Sequence, residues 1–160
     1  MERPVEPAAL ADELVAERDA LLGLLDEVSP ASMTTPGLVG DWSARELIAH
    51  VGYWVGHAGE VIHAVETGRT DDLADAPAVD DVNETVARVA RSTDLATVRR
   101  REAASVDALV ERLRALDPEI LRVVLPDGAS LAEAIREDGS AHYREHADDL
   151  RRALEGSPRA

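Results

Sequence analysis

Apolar residues recur along most of the chain at spacings of three, four and seven, the pattern of amphipathic helices with one buried face. The first such segment covers residues 9–28, and Ser29 and Pro30 follow it directly. Its apolar face consists of Leu10, Leu14, Leu21, Leu25 and Val28. Because the residue before a proline disfavours helical geometry, the pattern predicts a first helix that ends at this Ser-Pro pair.

The second periodic segment begins with a recognisable helix start. Ser43 and Glu46 stand three residues apart, which is the spacing of a capping box. We expect this helix to run to about Thr67, where Gly68 provides a C-terminal stop. The flanking residues 30–41 and 69–80 are predicted to be loops, and the second loop is acidic.

Helical periodicity returns over residues 81–116, with favoured capping residues in its middle at Ser92, Thr93 and Asp94. This arrangement predicts a short helix followed by a long one, and Asp117-Pro118 closes the long one. The mostly apolar run 121–125 precedes a Pro-Asp-Gly turn and predicts a short extended piece or a small hairpin.

The last helix is predicted to begin at Ser130, where Glu133 completes a second capping box, and to continue unbroken to about Leu154. Four long helices predict an all-α fold, an antiparallel four-helix bundle with one short extra helix and a short extended segment before the last helix. We expect a single domain over residues 1–160, since no internal repeat or linker is evident.

Charge and composition then exclude several classes of function. The 160 residues include 32 acidic and 17 basic side chains, for a net charge of -15, and every basic residue is an arginine. Such a surface repels phosphate groups, so neither nucleic acid nor an anionic membrane is an expected partner. The chain has no cysteine, so disulfides, cysteine-type zinc sites and an internal thiol nucleophile are excluded. Without a secretory signal pattern or a long apolar run, we expect a cytoplasmic protein.

Two of the five histidines stand out because they lie on the apolar face of the last helix. His142 and His146 are four residues apart, so they lie one turn apart with about 5–6 Å between their Cβ atoms. Two imidazoles in this arrangement can bind one metal ion, although a hydrogen-bonded pair without metal fits the pattern as well. His142 to His146 also matches the H-x-x-E-H metalloprotease pattern, but too few residues follow to supply its third ligand.

The second helix offers a third ligand without indicating which residue it is. His50 and His57 both border its apolar face, and Glu46 lies beside them, whereas His63 falls on the solvent side. His50 and His57 are seven residues apart, about 10 Å along the axis, so they cannot bind the same ion. Periodicity alone does not choose between them.

The segment from Asp41-Trp-Ser through Ala-His50, followed by Trp54, resembles the second helix of the DinB-like superfamily. His142-Tyr-Arg-Glu-His146 is similar to the last helix of that family, and the long helix ending in Arg114-Ala-Leu-Asp-Pro118 is in keeping with it. This resemblance covers nearly the whole chain and implies a four-helix bundle that binds a divalent metal, commonly zinc or nickel. The implied ligands are His50, His142 and His146.

The resemblance also implies a class of chemistry. Relatives include mycothiol-dependent maleylpyruvate isomerase and bacterial thiol S-transferases. Three neutral imidazoles suit zinc or nickel and leave a coordination position open for water or substrate. We therefore expect a metal-dependent thiol S-transferase or small hydrolase that acts on a small molecule. Any thiol must come from an exogenous low-molecular-weight compound such as mycothiol, because the chain has no cysteine.

Further residues are candidates for the surroundings of the metal. Glu46 and His57 are candidate catalytic groups for proton transfer, and Gly139 is a position that could leave room for a ligand or allow close helix packing. Trp42, Trp54 and Tyr143 are candidate pocket walls, with ordinary core packing as the alternative for both tryptophans.

Two other functional interpretations remain open from the sequence. One is a stress-protection protein that sequesters a small molecule without turnover around a structural metal. The other is a structural bundle that pairs through an apolar helix face. Because helix bundles of this size often pair, we expect a homodimer.

Overall fold

The computed structural model describes residues 3–156, and within them every regular element is helical. The α-helices are α1 (Pro7–Leu25), α2 (Ala44–Glu66), α3 (Val79–Arg91), α4 (Leu95–Arg114), α5 (Leu131–Asp138) and α6 (Ser140–Glu155). Short 3-10 helices cover Ala31–Met33, Thr70–Asp75 and Pro118–Arg122. The all-α fold predicted from the periodicity is confirmed, and α3 is the predicted short extra helix.

Three of the helices begin where their capping residues predict. Both capping boxes are formed, at Ser43 with Glu46 and at Ser130 with Glu133. The Asp94 side chain caps α4 by accepting a hydrogen bond from the Thr97 backbone N–H. In each case a side-chain oxygen satisfies a backbone donor that the first helical turn leaves without a partner.

The predicted single last helix is wrong, because two helices, α5 and α6, occupy its place. The helix stops at Asp138 and starts again at Ser140, and Gly139 between them has φ -112° and ψ -106°. A Cβ on Gly139 would lie 2.8 Å from the Ile135 carbonyl oxygen. Only a glycine allows this close approach without a shift of the backbone. Hydrophobic periodicity misses the break because apolar positions continue on both sides of it.

Smaller differences concern the loops and one helix end. Helix α1 ends at Leu25 rather than at Val28, although Val28 is still buried in the core. The acidic loop contains a 3-10 turn, and α3 begins inside it, at Val79. The 3-10 turn over Pro118–Arg122 was not predicted, but the antiparallel β-bridge between Val124 and Ser130 that follows it closes the small hairpin expected around the Pro-Asp-Gly turn.

The side-chain contacts between helices show how the bundle is connected. Helix α1 runs antiparallel to α4, because Asp12 contacts Arg114 whereas Arg18 contacts Glu102. Helix α2 runs parallel to α4, because Gly52 lies against Glu102 and Glu66 binds Arg112.

The order of side-chain contacts also gives the direction of α5 and α6 relative to α1 and α2. The order of the ion pairs Glu13–Arg136 and Glu17–Arg144 makes α1 parallel to the α5–α6 segment. Helix α2 is antiparallel to that segment, because His50 contacts His142 whereas the later His57 contacts the earlier Asp138. Two neighbouring pairs are therefore antiparallel and two are parallel, because α3 and its loops bring the chain back along α2 before α4 begins.

The core between these helices is built from aliphatic side chains, mostly leucine, valine, isoleucine and alanine. Among the described residues, the buried polar side chains are Ser43, Glu46, His50, Glu102 and Ser140. The Glu102 carboxylate, 4% exposed, accepts two hydrogen bonds from Arg18 and one of 2.6 Å from the Tyr143 hydroxyl. Within residues 3–156, none of the helices combines the length and the apolar character that a bilayer span requires.

Candidate metal centre

His50 from α2 meets His142 and His146 from α6, and these residues form what we call the three-histidine cluster. The Nε2 atom of His142 lies 2.8 Å from Nε2 of His50 and 3.0 Å from Nε2 of His146. The three rings meet edge to face, with centroids 4.6–4.9 Å apart. One ligand atom from each residue therefore points into a common region, as the coordination of a single ion requires.

Burial keeps the imidazoles of the cluster neutral. It lowers the pKa of His50 to about 3, with further lowering by the neighbouring His142 and His146. It likewise lowers the pKa of His142 to about 4, with a contribution from His146. The pKa of His146 is lowered by burial against an opposing effect of Asp149 and Glu145. Neutral imidazoles offer a lone pair, which is the form in which histidine binds a metal.

The surroundings of the three Nδ1 atoms bear on whether the imidazoles of the cluster suit a metal. Nδ1 of His146 lies 3.2 Å from Asp149 Oδ2, an electrostatic contact whose alignment is outside hydrogen-bond geometry. Nδ1 of His50 and of His142 are buried without a hydrogen-bond partner among the described residues. A carboxylate behind a ligating imidazole is common at metal sites, because it orients the ring and strengthens the ligand. The donor set therefore fits a divalent metal ion.

Asp149 was not a candidate from the sequence. It stands three residues after His146, so both side chains lie on one face of α6. This spacing could have identified it, but two other carboxylates, Glu145 and Asp148, also lie within four residues of His146. Only the fold shows which carboxylate approaches the ring.

Among the predicted surroundings, Trp42 lies beside the cluster, with its ring centroid 4.7 Å from that of His50. Glu46, in contrast, is held by contacts with Ser43 and Arg91. Its Oε1 accepts hydrogen bonds from the Ser43 backbone N–H and hydroxyl, and its Oε2 is 3.2 Å from Arg91 Nε. Glu46 is 1% exposed, so it caps α2 and connects that helix to α3.

His57 and Trp54 lie together at a separate place on α2. Nδ1 of His57 is 2.7 Å from Asp138 Oδ2 at the end of α5, and the Trp54 ring contacts the His57 ring. The indole N–H of Trp54 donates a hydrogen bond to Asn83 on α3. The structure thus assigns His50 and His57 to different surroundings, and it leaves His63 exposed, as predicted.

Gly139 and Tyr143 occupy positions next to the cluster in sequence but contact other parts of the bundle. Gly139 lies at the break between α5 and α6 and packs near Leu14 of α1. Tyr143 is fully buried, and its hydroxyl donates a hydrogen bond to Glu102 of α4. The close-packing interpretation of Gly139 matches this position, and the Tyr143 side chain extends toward α4.

Comparison with known proteins supports the metal centre. Residues 14–151 match the family described as mycothiol maleylpyruvate isomerase N-terminal domain. Neither curated proteins nor solved structures gave a match. The matched range contains all three histidines of the cluster and most of the chain. The chain therefore belongs to the mycothiol maleylpyruvate isomerase N-terminal domain family, a DinB-like and metal-binding family.

Proposed function

We propose that this protein is a divalent-metal-dependent enzyme that transfers an exogenous low-molecular-weight thiol to a small organic substrate. The observation that carries the proposal is the convergence of three neutral imidazoles on one buried region. His50, His142 and His146 would hold the ion, and zinc or nickel suits this nitrogen donor set. Three protein ligands are the number found at catalytic rather than structural zinc sites.

The absence of cysteine determines what kind of thiol chemistry is possible. When bound, the metal supplies a Lewis acid that lowers the pKa of a coordinated thiol or water. In the overall reaction the thiol sulfur forms a bond to an electrophilic carbon of the substrate. The leaving group departs with its bonding electrons, and the thiol proton is released to solvent.

The residues of this chain position the reactants. The fixed helices α2 and α6 hold the three imidazoles, and Trp42 covers one side of the His50 ring. Asp149 orients His146 through its Nδ1 side. Burial excludes water from most of the cluster, which strengthens electrostatic interactions inside it.

Metal content is the first test of the proposal. Protein purified without an affinity tag should contain about one equivalent of zinc or nickel by elemental analysis. His142→Ala should lose most of this metal, because only two protein ligands remain. His63→Ala is the matched control, since His63 is exposed on the same protein and should leave metal content unchanged. Equal metal content in the two variants would contradict the proposed ligands.

Turnover is the second test and separates the competing functions. The metal-loaded enzyme is incubated with mycothiol and an aromatic electrophile that carries a halide leaving group, and halide release is measured. Thiol-dependent release that is lost in His142→Ala supports a transferase. Release without thiol indicates a hydrolase instead, and saturable binding without any product indicates sequestration around a structural metal.

A further inference from the structure

A cleft of about 440 Å³ lies between α2, α5 and two connecting segments, and none of its lining residues belongs to the three-histidine cluster. One side is apolar and is formed by Val61, Leu73, Leu125, Pro126 and Ala134. The volume lies within the range of about 300–1,000 Å³ typical of small-molecule sites. The cleft thus has the size and the apolar wall that a ligand with a hydrophobic body needs.

The polar side of the cleft contains the ion pair between His57 and Asp138. Nδ1 of His57 is 2.7 Å from Asp138 Oδ2, and both side chains are largely shielded from solvent, at 29% and 16% exposure. The Trp54 ring packs edge-on against His57, with the ring centroids 5.1 Å apart. Asp138 is the last residue of α5, where the helix dipole disfavours a carboxylate. The ion pair with His57 offsets this unfavourable interaction between the carboxylate and the helix dipole.

The charges around the cleft favour a cation. Asp127, Glu137 and Asp138 all line it, and none of its lining residues within 3–156 is an arginine. The -15 net charge of the chain adds a negative field over the whole surface. An anion entering this cleft would meet these three carboxylates, whereas an ammonium group would find in Asp138 an acceptor that His57 already holds in place.

We propose that this cleft is a second ligand site, which binds a small organic amine in its ammonium form. The ammonium group contacts the Asp138 carboxylate, and the hydrocarbon body packs against the apolar wall. The site is independent of the metal and of the thiol chemistry proposed above, because its residues do not overlap with the three-histidine cluster.

Protonation of His57 competes with the amine for Asp138. The charged groups that face His57 are Asp138 of α5 and Glu60 of α2, while Asp127 and Glu137 line the same cleft. The 70–76 segment presents only Leu73, Ala74 and Ala76 to it. A neutral His57 leaves the site with one more negative charge, so amine binding should tighten as the pH rises from 6 to 8.5.

The test measures binding by isothermal titration calorimetry with three isosteric probes. Benzylamine carries the cation, benzyl alcohol is its neutral counterpart and benzoate is the anion. We expect benzylamine to bind about tenfold more tightly than benzyl alcohol, and benzoate to show no binding. Equal affinity for the amine and the alcohol would overturn the proposal.

Four substitutions test whether benzylamine binds in this cleft. Asp138→Asn should weaken benzylamine binding about tenfold, whereas Asp148→Asn removes the same charge from exposed α6 and should have no effect. Glu137→Gln tests the exposed rim without disturbing the helix junction and should weaken binding about twofold. His142→Ala must leave benzylamine affinity unchanged. A loss of binding in that variant would mean that the amine coordinates the metal, and unchanged binding in Asp138→Asn would place it outside the cleft.

Discussion

Tyr143 belongs to a buried hydrogen-bond network that is separate from the three-histidine cluster. It follows His142 directly, but its hydroxyl donates a 2.6 Å hydrogen bond to Glu102, which also binds Arg18. Burial and the Glu102 charge raise its pKa well above the usual range, so it stays a hydrogen-bond donor. These three residues tie α1, α4 and α6 together at one level of the bundle.

Tyr143→Phe should therefore destabilise the fold while leaving the metal ligands in place. Removal of the hydroxyl leaves a buried carboxylate with one donor fewer, a change that costs about 1–3 kcal/mol. Urea denaturation measures the free energy of unfolding. Tyr53→Phe is the control, because Tyr53 is 41% exposed and its hydroxyl should contribute less than about 0.5 kcal/mol. Equal effects of the two substitutions would contradict the role of the buried network.

His57 should make stability depend on pH. The hydrogen bond to Asp138 raises its pKa above the 6.5 of an unperturbed histidine, against the effect of burial. A raised folded-state pKa adds stability below the unfolded pKa, and this stability is lost as the pH rises through the folded pKa.

The stability difference between wild type and His57→Gln should accordingly be larger at pH 5.5 than at pH 8.5, by thermal denaturation. His63→Gln, at an exposed position on the same helix, should show no such trend. A difference for His57→Gln that is constant with pH would mean that the charge on His57 does not stabilise the fold.

At the level of single residues, the sequence identified the two histidines of the last helix but not their partner. His142 and His146 could be predicted to share a face because the helical repeat fixes their spacing. His50 and His57 border the same arc, and only the packing of α2 against α5 and α6 separates them. Family resemblance, rather than periodicity, selected His50.

At the level of elements, helix starts were predictable because they depend on local chemistry. Ser43, Asp94 and Ser130 each satisfy a backbone donor three residues away, so their effect is visible in the sequence. The break at Gly139 depends on a contact with the Ile135 carbonyl and on packing against α1. A glycine inside a helical pattern does not reveal such contacts.

Gly139→Ala tests the importance of the break. The added Cβ would lie 2.8 Å from the Ile135 oxygen, so the junction must move, and His142 and His146 move with it. We expect a loss of stability of about 1–3 kcal/mol and weaker metal binding, measured by denaturation and by metal titration. Gly59→Ala in α2 meets nothing within 4 Å and should instead stabilise the fold by about 0.5–1 kcal/mol. Unchanged metal affinity in Gly139→Ala would show that the break does not position the ligands.

At the level of the whole molecule, the homodimer is still a prediction. Two chains of charge -15 repel each other, so pairing should strengthen as salt screens this repulsion. Exposed Tyr53 and Val89 line an apolar groove formed by α2, α3 and α4, and we expect the interface at this groove. Light scattering should give twice the chain mass of 17.2 kDa at 300 mM salt and a lower average at 10 mM. A mass of one chain at every salt concentration would exclude the dimer.

The parallel run of α2 and α4 has a consequence for the rate of folding. Parallel neighbours cannot be joined by a tight turn, so residues 67–94 must form a closed loop before this interface can assemble. The α1–α6 interface joins the two ends of the chain, which gives it a high sequence separation. Chain closure therefore precedes most of the stabilising contacts, and we expect slower folding than for an up-down-up-down bundle of equal length. Temperature-jump experiments measure the folding time. A time in the microsecond range, as found for up-down-up-down bundles, would contradict this order of events.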